Sequence, residues 1–564
     1  MPVILQGAYR RSANPTVSVP APIDGHGDPY WYDHLAMQMQ SYRGLFANIQ
    51  LPPVHLTIGG PSPDSDGYGV WWEYHLGTQQ RPSRFGHIDI LRRMCAIGHR
   101  NGVSAIADWV PHQRFGGNNG VYDYPAAGGP DTGRFAKKPG CFRGFNEADY
   151  KAGRVHEDPV PDIPDDFAFG DELAPVNAVP KGYVRAELIK AGQWLYRTLD
   201  LRGCRNDDTK GQAIQAVNAW TSAEPMAEYP AIGEYADGNK DNLAWWLWQV
   251  RGNNYAYDFE VKYRLQDMCN NGSRWDMRQL PNVGLASKGP PWSMRAVTFI
   301  ENADSDTNGF GAVLYNKLLG YAFMLTAEGW PSIYYRDYAA ERYCYGLKPK
   351  LDNLIWVHEK LANGPTWYRH TEYQFVVYER QGAPGLLVGL NNDIWGGWKT
   401  VTVQTSFPPR AQLHDYSGHA GDVWTDGQSR VTIGIPPNDN GAGYVCYSRA
   451  GQDSALKASE TATTQLFEGA NDLLTGPATA AGTAAGRIWC DAGKLVSIVK
   501  PTGDGVRLNV TDDSGHKIIN HTWSGRTQRR GWHSIAAFAE HPTPYMAYIT
   551  YTATADLRRS ECEA

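Results

Sequence analysis

The chain has 564 residues, too many for one hydrophobic core and enough for about three domains. Against 53 basic side chains stand 59 acidic ones, a net charge of −6 that announces no surface for nucleic acid or another polyanion. No run of ~20 apolar residues occurs, so nothing reads as a membrane-spanning helix.

In chain order, residues 1–111 read as three strand and helix units. Apolar residues at Ile88, Ile90, Leu91, Met94, Cys95 and Ile97 have helical spacing and precede a third strand, Gly102-Val103-Ser104-Ala105-Ile106-Ala107-Asp108-Trp109-Val110, which carries a carboxylate at its end. From 112 to about 180 the pattern dissolves into Gly, Pro and Asp, and a loop that long in a compact enzyme is usually functional. An amphipathic segment over 184–200 then leads into Gly203-Cys204-Arg205-Asn206-Asp207-Asp208-Thr209-Lys210-Gly211. Read as a strand running into a loop, this stretch puts Gly203, Arg205 and Asp207 on one face and Asp208 on the other, toward the helices. A buried carboxylate beside a guanidinium stays ionised and oriented, so Asp207 is poised as a nucleophile; a surface strand of mixed charge would look the same from this stretch alone.

Two further apolar runs end in carboxylates: Tyr229-Pro230-Ala231-Ile232-Gly233-Glu234-Tyr235 and Ala296-Val297-Thr298-Phe299-Ile300-Glu301-Asn302-Ala303-Asp304. A (β/α)8 barrel would deliver these strand ends to one pocket, and glycoside hydrolysis needs carboxylates flanking one bond. After about residue 364 the pattern turns all-β, with Phe375-Val376-Val377-Tyr378-Glu379, Gly385-Leu386-Leu387-Val388-Gly389-Leu390 and Val431-Thr432-Ile433-Gly434-Ile435 as strand-like runs. Residues 451–485, rich in Ala, Thr and Gly, read as a linker or a loose first strand. The remainder fits a small β-sandwich, either structural or binding polysaccharide through Trp523 or Trp532.

In this order the four carboxylate-bearing stretches resemble the four signature regions of the alpha-amylase family, glycoside hydrolase family 13. Val3-Ile4-Leu5-Gln6-Gly7 is similar to that family's first barrel strand, Ile49-Gln50-Leu51-Pro52-Pro53 to its second and Gly329-Trp330-Pro331-Ser332-Ile333-Tyr334-Tyr335 to its last. Gly67-Tyr68 resembles the pair whose ring stacks on the sugar, and Ser83-Arg84-Phe85-Gly86 the opening of the next helix. The resemblance implies an α/β fold: a TIM barrel in two parts, 1–111 and 182–364, with a loop-rich domain B inserted at 112–181. An all-β domain C over 365–450 and a linker with a C-terminal β-sandwich over 451–564 would follow.

The resemblance makes Asp207 the nucleophile, Glu234 the acid/base and Asp304 the third carboxylate, gripping sugar hydroxyls; Asp306 is its rival. Tyr68, Asp108, His112, Gln113, Arg205, Lys210 and Asn302 are the substrate-binding candidates it implies. The implied activity is retaining cleavage of α-glucosidic bonds, most readily α-1,4, in starch-like glucans. A transglycosylase would use the same residues, and a catalytically weak carbohydrate-binding barrel is the reading from another class. Two departures stand out. His112-Gln113 replaces the family's Asn-His, and Ala303 replaces a histidine that touches the sugar, which leaves a gap for water or a substrate group. The Asn is a common calcium ligand, whereas histidine is a poor ligand for a hard cation; the chemistry itself needs no cofactor, and Asp171 is the weak alternative for a structural calcium. Eight scattered cysteines have no metal spacing and read as buried thiols, with one or two bridges an alternative. The expected partner is an α-glucan or oligosaccharide bound by a monomer, with no nucleic acid or membrane. Family habit favours an extracellular location over a cytoplasmic one, although 1–11 has no apolar signal core.

Overall fold

The computed structural model describes residues 2–7, 30–57, 71–73, 85–86, 91–114, 135–156, 171–307, 311–340, 344–452 and the strands between 467 and 553, a few single positions inside these spans excepted. Eight parallel strands close into a barrel in sequence order: β1 (Val3–Gln6), β2 (Phe46–Pro53), β3 (Ser104–Trp109), β4 (Cys204–Asn206), β5 (Ala231–Gly233), β6 (Asn254–Tyr257), β7 (Ala296–Thr298) and β8 (Trp330–Tyr334). The last strand returns to the first with Ile4 opposite Ser332 and Gln6 opposite Tyr334.

Strand alternation sorts the side chains into two cores. Ile4, Ile106, Ile232, Val297 and Trp330 form a cluster of their own, while their chain neighbours Val3, Leu5, Ala105, Ala107, Ala231 and Ala296 join the large cluster that includes the helices. The first set therefore fills the barrel and the second lies between barrel and helices. The same parity carries Gln6, Asp108, Arg205 and Glu234 to the inside, two residues farther along their strands than Ile4, Ile106, Gly203 and Ile232. A polar layer thus sits on an apolar floor at the C-terminal ends of the strands.

Helix α1 (Tyr183–Leu199) leads to the strand that matters most. Val184, Leu188, Ala191, Leu195, Tyr196 and Leu199 are buried along one face, and it ends at Asp200 in a left-handed conformation (φ 49°). Gly233 permits the other close approach: a Cβ there would run into the six-membered ring of Trp246, on the helix Lys240–Gln249 that follows β5. Because Gly233 precedes Glu234, the indole packing against its backbone also fixes the end of that strand. Gly233→Ala should cost about 1–3 kcal/mol from overpacking, read as a lowered Tm, and should slow catalysis by moving Glu234.

Between β3 and α1, the strands Gln113–Arg114 and Asp171–Glu172 pair antiparallel, with the short helix Glu147–Lys151 nearby. Beyond the barrel, strands from Thr366–Thr371 to Tyr444–Arg449 build a six-stranded and a two-stranded antiparallel sheet around Val377, Leu387, Ile433, Ile435 and Val445. Two four-stranded sheets follow, and they include Phe467–Pro477 and Thr483–Cys490. Of the two readings of the Ala, Thr and Gly-rich stretch, a linker or a loose first strand, the second holds for Phe467–Pro477, which finds a long partner in Pro544–Ala553. The side chains of Trp523 and Trp532 lie outside the described residues. Cys95, Cys141, Cys204, Cys269 and Cys446 are buried free thiols. Among the described residues no helix is long and apolar enough to cross a membrane.

Candidate active site

Register brings the polar residues together. Asp108 of β3 lies opposite Arg205 of β4, and Arg205 opposite Ile232 of β5. The main chain then locks the strand ends: Asp207 N–H donates to Trp109 O at 2.9 Å, Glu234 N–H to Asn206 O at 2.9 Å, and Thr209 N–H to Glu234 O at 3.0 Å. Into this frame Arg205 extends a fork that touches three carboxylates. Its Nη1 donates to Asp108 Oδ1 at 2.7 Å and pairs with Asp207 Oδ1; its Nη2 pairs with Glu234 Oε2 at 2.5 Å. Planar guanidinium geometry suits such multiple recognition, which a lysine could not reproduce.

Burial dominates the electrostatics. Desolvation lifts the carboxyl of Glu234 to about 8, even though Arg205 opposes it, and the charges of Asp207 and Asp304 add to the rise. Asp108 is pushed up to about 6 by burial, again against Arg205. Asp207 is also raised by burial, with Arg205 as the main counterweight. Glu234 is thus the carboxyl that holds its proton near neutrality.

Asp304 is exposed at the start of the short helix Ala303–Thr307, yet its charge reaches Asp108, Arg205 and Glu234. Asp306 is engaged elsewhere: Tyr334 Oη donates to it at 3.2 Å and Arg336 Nη1 pairs with it at 2.5 Å. Asn302 caps that helix, its Oδ1 accepting from Ser305 N–H at 2.9 Å and Ser305 Oγ at 2.8 Å. Ala303 is half-buried and packs against the main apolar cluster. Lys210 pairs with Asp237 Oδ2 at 3.1 Å and lies 5.3 Å from the centre of the Tyr235 ring. Gln113 contributes backbone pairing to Glu172; Tyr68 and the side chain of Gln113 lie outside the described residues.

Asp208 departs from its expected direction. Its backbone is left-handed (φ 34°), which breaks the two-residue alternation, and its carboxylate meets His112 Nε2 at 3.4 Å instead of the helices. Burial works against an imidazolium at His112, but Asp208 outweighs it and raises the ring's pKa; the same contact, against desolvation, lowers that of Asp208. Asp208 also donates its N–H to Glu234 Oε2 at 3.1 Å. A second group escaped the sequence reading: Glu301, fully buried after β7, accepts from Val313 N–H at 2.7 Å and sits 3.5 Å from Lys317, which pairs with the buried Asp337 at 2.8 Å. Only its place beside a strand end could have suggested it.

Among the described residues, the two named for the doubtful structural calcium, His112 and Asp171, already have other partners. His112 faces Asp208, and Asp171 Oδ1 accepts from Arg154 Nη2 at 3.0 Å. Among the described residues no three His, Cys, Asp or Glu side chains gather as a metal cluster.

No family model matches the chain. It is 26% identical over 259 residues to an alpha-amylase of Bacillus licheniformis, 43% of this chain and 48% of that protein. It is also 26% identical over 277 residues to a glucan 1,4-alpha-maltohexaosidase of Bacillus sp. (strain 707), 46% of this chain and 49% of that protein. The chain thus matches about half the length of these curated relatives. Its fold is that of an Anoxybacillus alpha-amylase, with a TM-score of 0.55 at 15% identity over 80% of this chain and 98% of that one. The ordered strand-end carboxylates around Arg205, the closed barrel and these relatives together support the resemblance to the alpha-amylase family, glycoside hydrolase family 13.

Proposed function

We propose that this protein is a retaining glycoside hydrolase that cleaves α-glucosidic bonds in starch-like glucans. One observation carries the reading: a single buried guanidinium, Arg205, holds Asp207 and Glu234 together at adjacent strand ends while burial keeps Glu234 protonated to about pH 8. In the first step the Asp207 carboxylate bonds to the anomeric carbon as the glycosidic C–O bond breaks, and the Glu234 proton passes to the departing oxygen. In the second, Glu234 takes a proton from water, whose oxygen displaces Asp207 and regenerates both groups. Arg205 orients the two carboxylates, and Asp304 grips sugar hydroxyls as the ring flattens. Lys210 and Asn302 supply donors along the cleft.

The test is product analysis on amylose, maltooligosaccharides and an α-1,6 glucan, with and without added free sugar. Reducing ends of retained anomeric configuration support hydrolysis. Longer products that appear only with the added sugar would replace water by a sugar acceptor, with every residue role unchanged. No cleavage of any α-glucan would reject the reading.

The chain does without structural calcium in this proposal, because a guanidinium already neutralises Asp171 and His112 is committed to Asp208. Excess EDTA should leave Tm unchanged; a fall of about 5 °C or more would reveal a bound ion.

A further inference from the structure

A groove of about 740 Å³ lies between the barrel and the first antiparallel module, and none of the carboxylates around Arg205 lines it. Tyr315 and Trp395 both line it, 63% and 87% exposed. Leaving an indole that bare forgoes apolar burial worth about 25 cal/mol per Å². The turn that presents it is nevertheless well tied. Asp393 Oδ1 accepts from Trp395 N–H at 3.1 Å, Gly396 N–H at 2.9 Å and Ser273 Oγ at 3.1 Å, and Asp393 Oδ2 pairs with Lys399 at 2.8 Å. Ser273 belongs to the barrel side, so the turn is anchored across the boundary that the groove follows.

The polar lining is rich in amides, with Asn271, Asn316, Asn438 and Asn440. Asn438 is 1% exposed, and neither its Oδ1 nor its Nδ2 has a hydrogen-bond partner. An unmet buried amide costs about 1–3 kcal/mol, which an incoming donor and acceptor would recover. The lysine in the lining is committed to Asp337 and Glu301, so a polyanion finds no free charge there. Flat apolar rings beside amides instead match a pyranose, which has an apolar face and a rim of hydroxyls that donate and accept.

We propose that this groove is a second α-glucan-binding site, separate from the cleavage cleft, in which Trp395 and Tyr315 stack on sugar rings and the asparagine amides bond their hydroxyls. It rests on the α-glucan reading above and adds a place where a polymer is held while another part of it is cut.

The experiment uses the full chain carrying Asp207→Asn to stop turnover, run through gels containing amylopectin. The protein should be retarded, and adding Trp395→Ala or Tyr315→Ala should weaken that binding about tenfold. In the active chain, Trp395→Ala should leave cleavage of a chromogenic maltotrioside unchanged. Retardation that survives both substitutions, or no retardation of the unsubstituted groove, would overturn the second site even if the maltotrioside is cut. An equal loss of maltotrioside cleavage would overturn it too, by showing that the groove belongs to the cleft. Failure of the α-glucan reading itself would appear separately, as an active-chain preparation that cuts no α-glucan.

Discussion

Asp207→Asn is expected to leave the protein folded and to lower α-glucan turnover by about four orders of magnitude or more, measured as reducing ends released per enzyme. The amide has nearly the shape of the carboxylate and can remain beside Arg205, so packing around β4 is kept. What disappears is the charge that attacks carbon. Unchanged circular dichroism and Tm would accompany the loss. Comparable rates for variant and parent would remove Asp207 from the mechanism, with Asp208 the next residue to test.

Glu234→Gln should slow cleavage of glucans by about 10²–10⁴-fold while sparing the glycosylation step for aryl glycosides whose leaving group needs no proton. An equal loss on both substrates would mean that Glu234 is not the acid. The parent's pH profile carries the same assignment. The acid works only while protonated, so kcat/KM should hold below about 8, the value to which burial lifts Glu234, and fall about tenfold per pH unit above it. Asp207 works only when ionised. Because burial raises it as well, the acid limb should lie above the ~3.9 of an ordinary aspartate. In Glu234→Gln the alkaline limb should vanish and the acid limb remain.

These groups were legible to different degrees. Glu234 and Asp108 could be placed from sequence because each ends an apolar run, and in a parallel barrel every such run ends on the same face; Asp207 could be placed because it shares strand parity with Arg205 two residues before it. Arg205 was legible as their neighbour because strand parity is a property of the local backbone. Asp208 was misread for the same reason: one left-handed residue cancels parity, and non-glycine residues give little warning of it. Strand β6 was not singled out, since Asn254–Tyr257 is four residues long with polar ends and reads as strand only when Ile232 and Val297 lie beside it.

By itself, then, the sequence determined the order of strands, the face on which Arg205 and Asp207 lie, and the strand ends that carry carboxylates, all consequences of periodicity over a few residues. The tertiary structure decided the rest. That Arg205 reaches Asp108, 97 residues away, and Glu234 as well follows from register across three strands. That Glu234 keeps its proton to about pH 8 follows from exclusion of water by neighbours drawn from the whole ring. The Glu301, Lys317 and Asp337 cluster, and the groove lined by Tyr315 and Trp395, likewise exist only because distant segments pack together. Desolvation and shape depend on what surrounds a side chain, and no stretch of sequence contains its own surroundings.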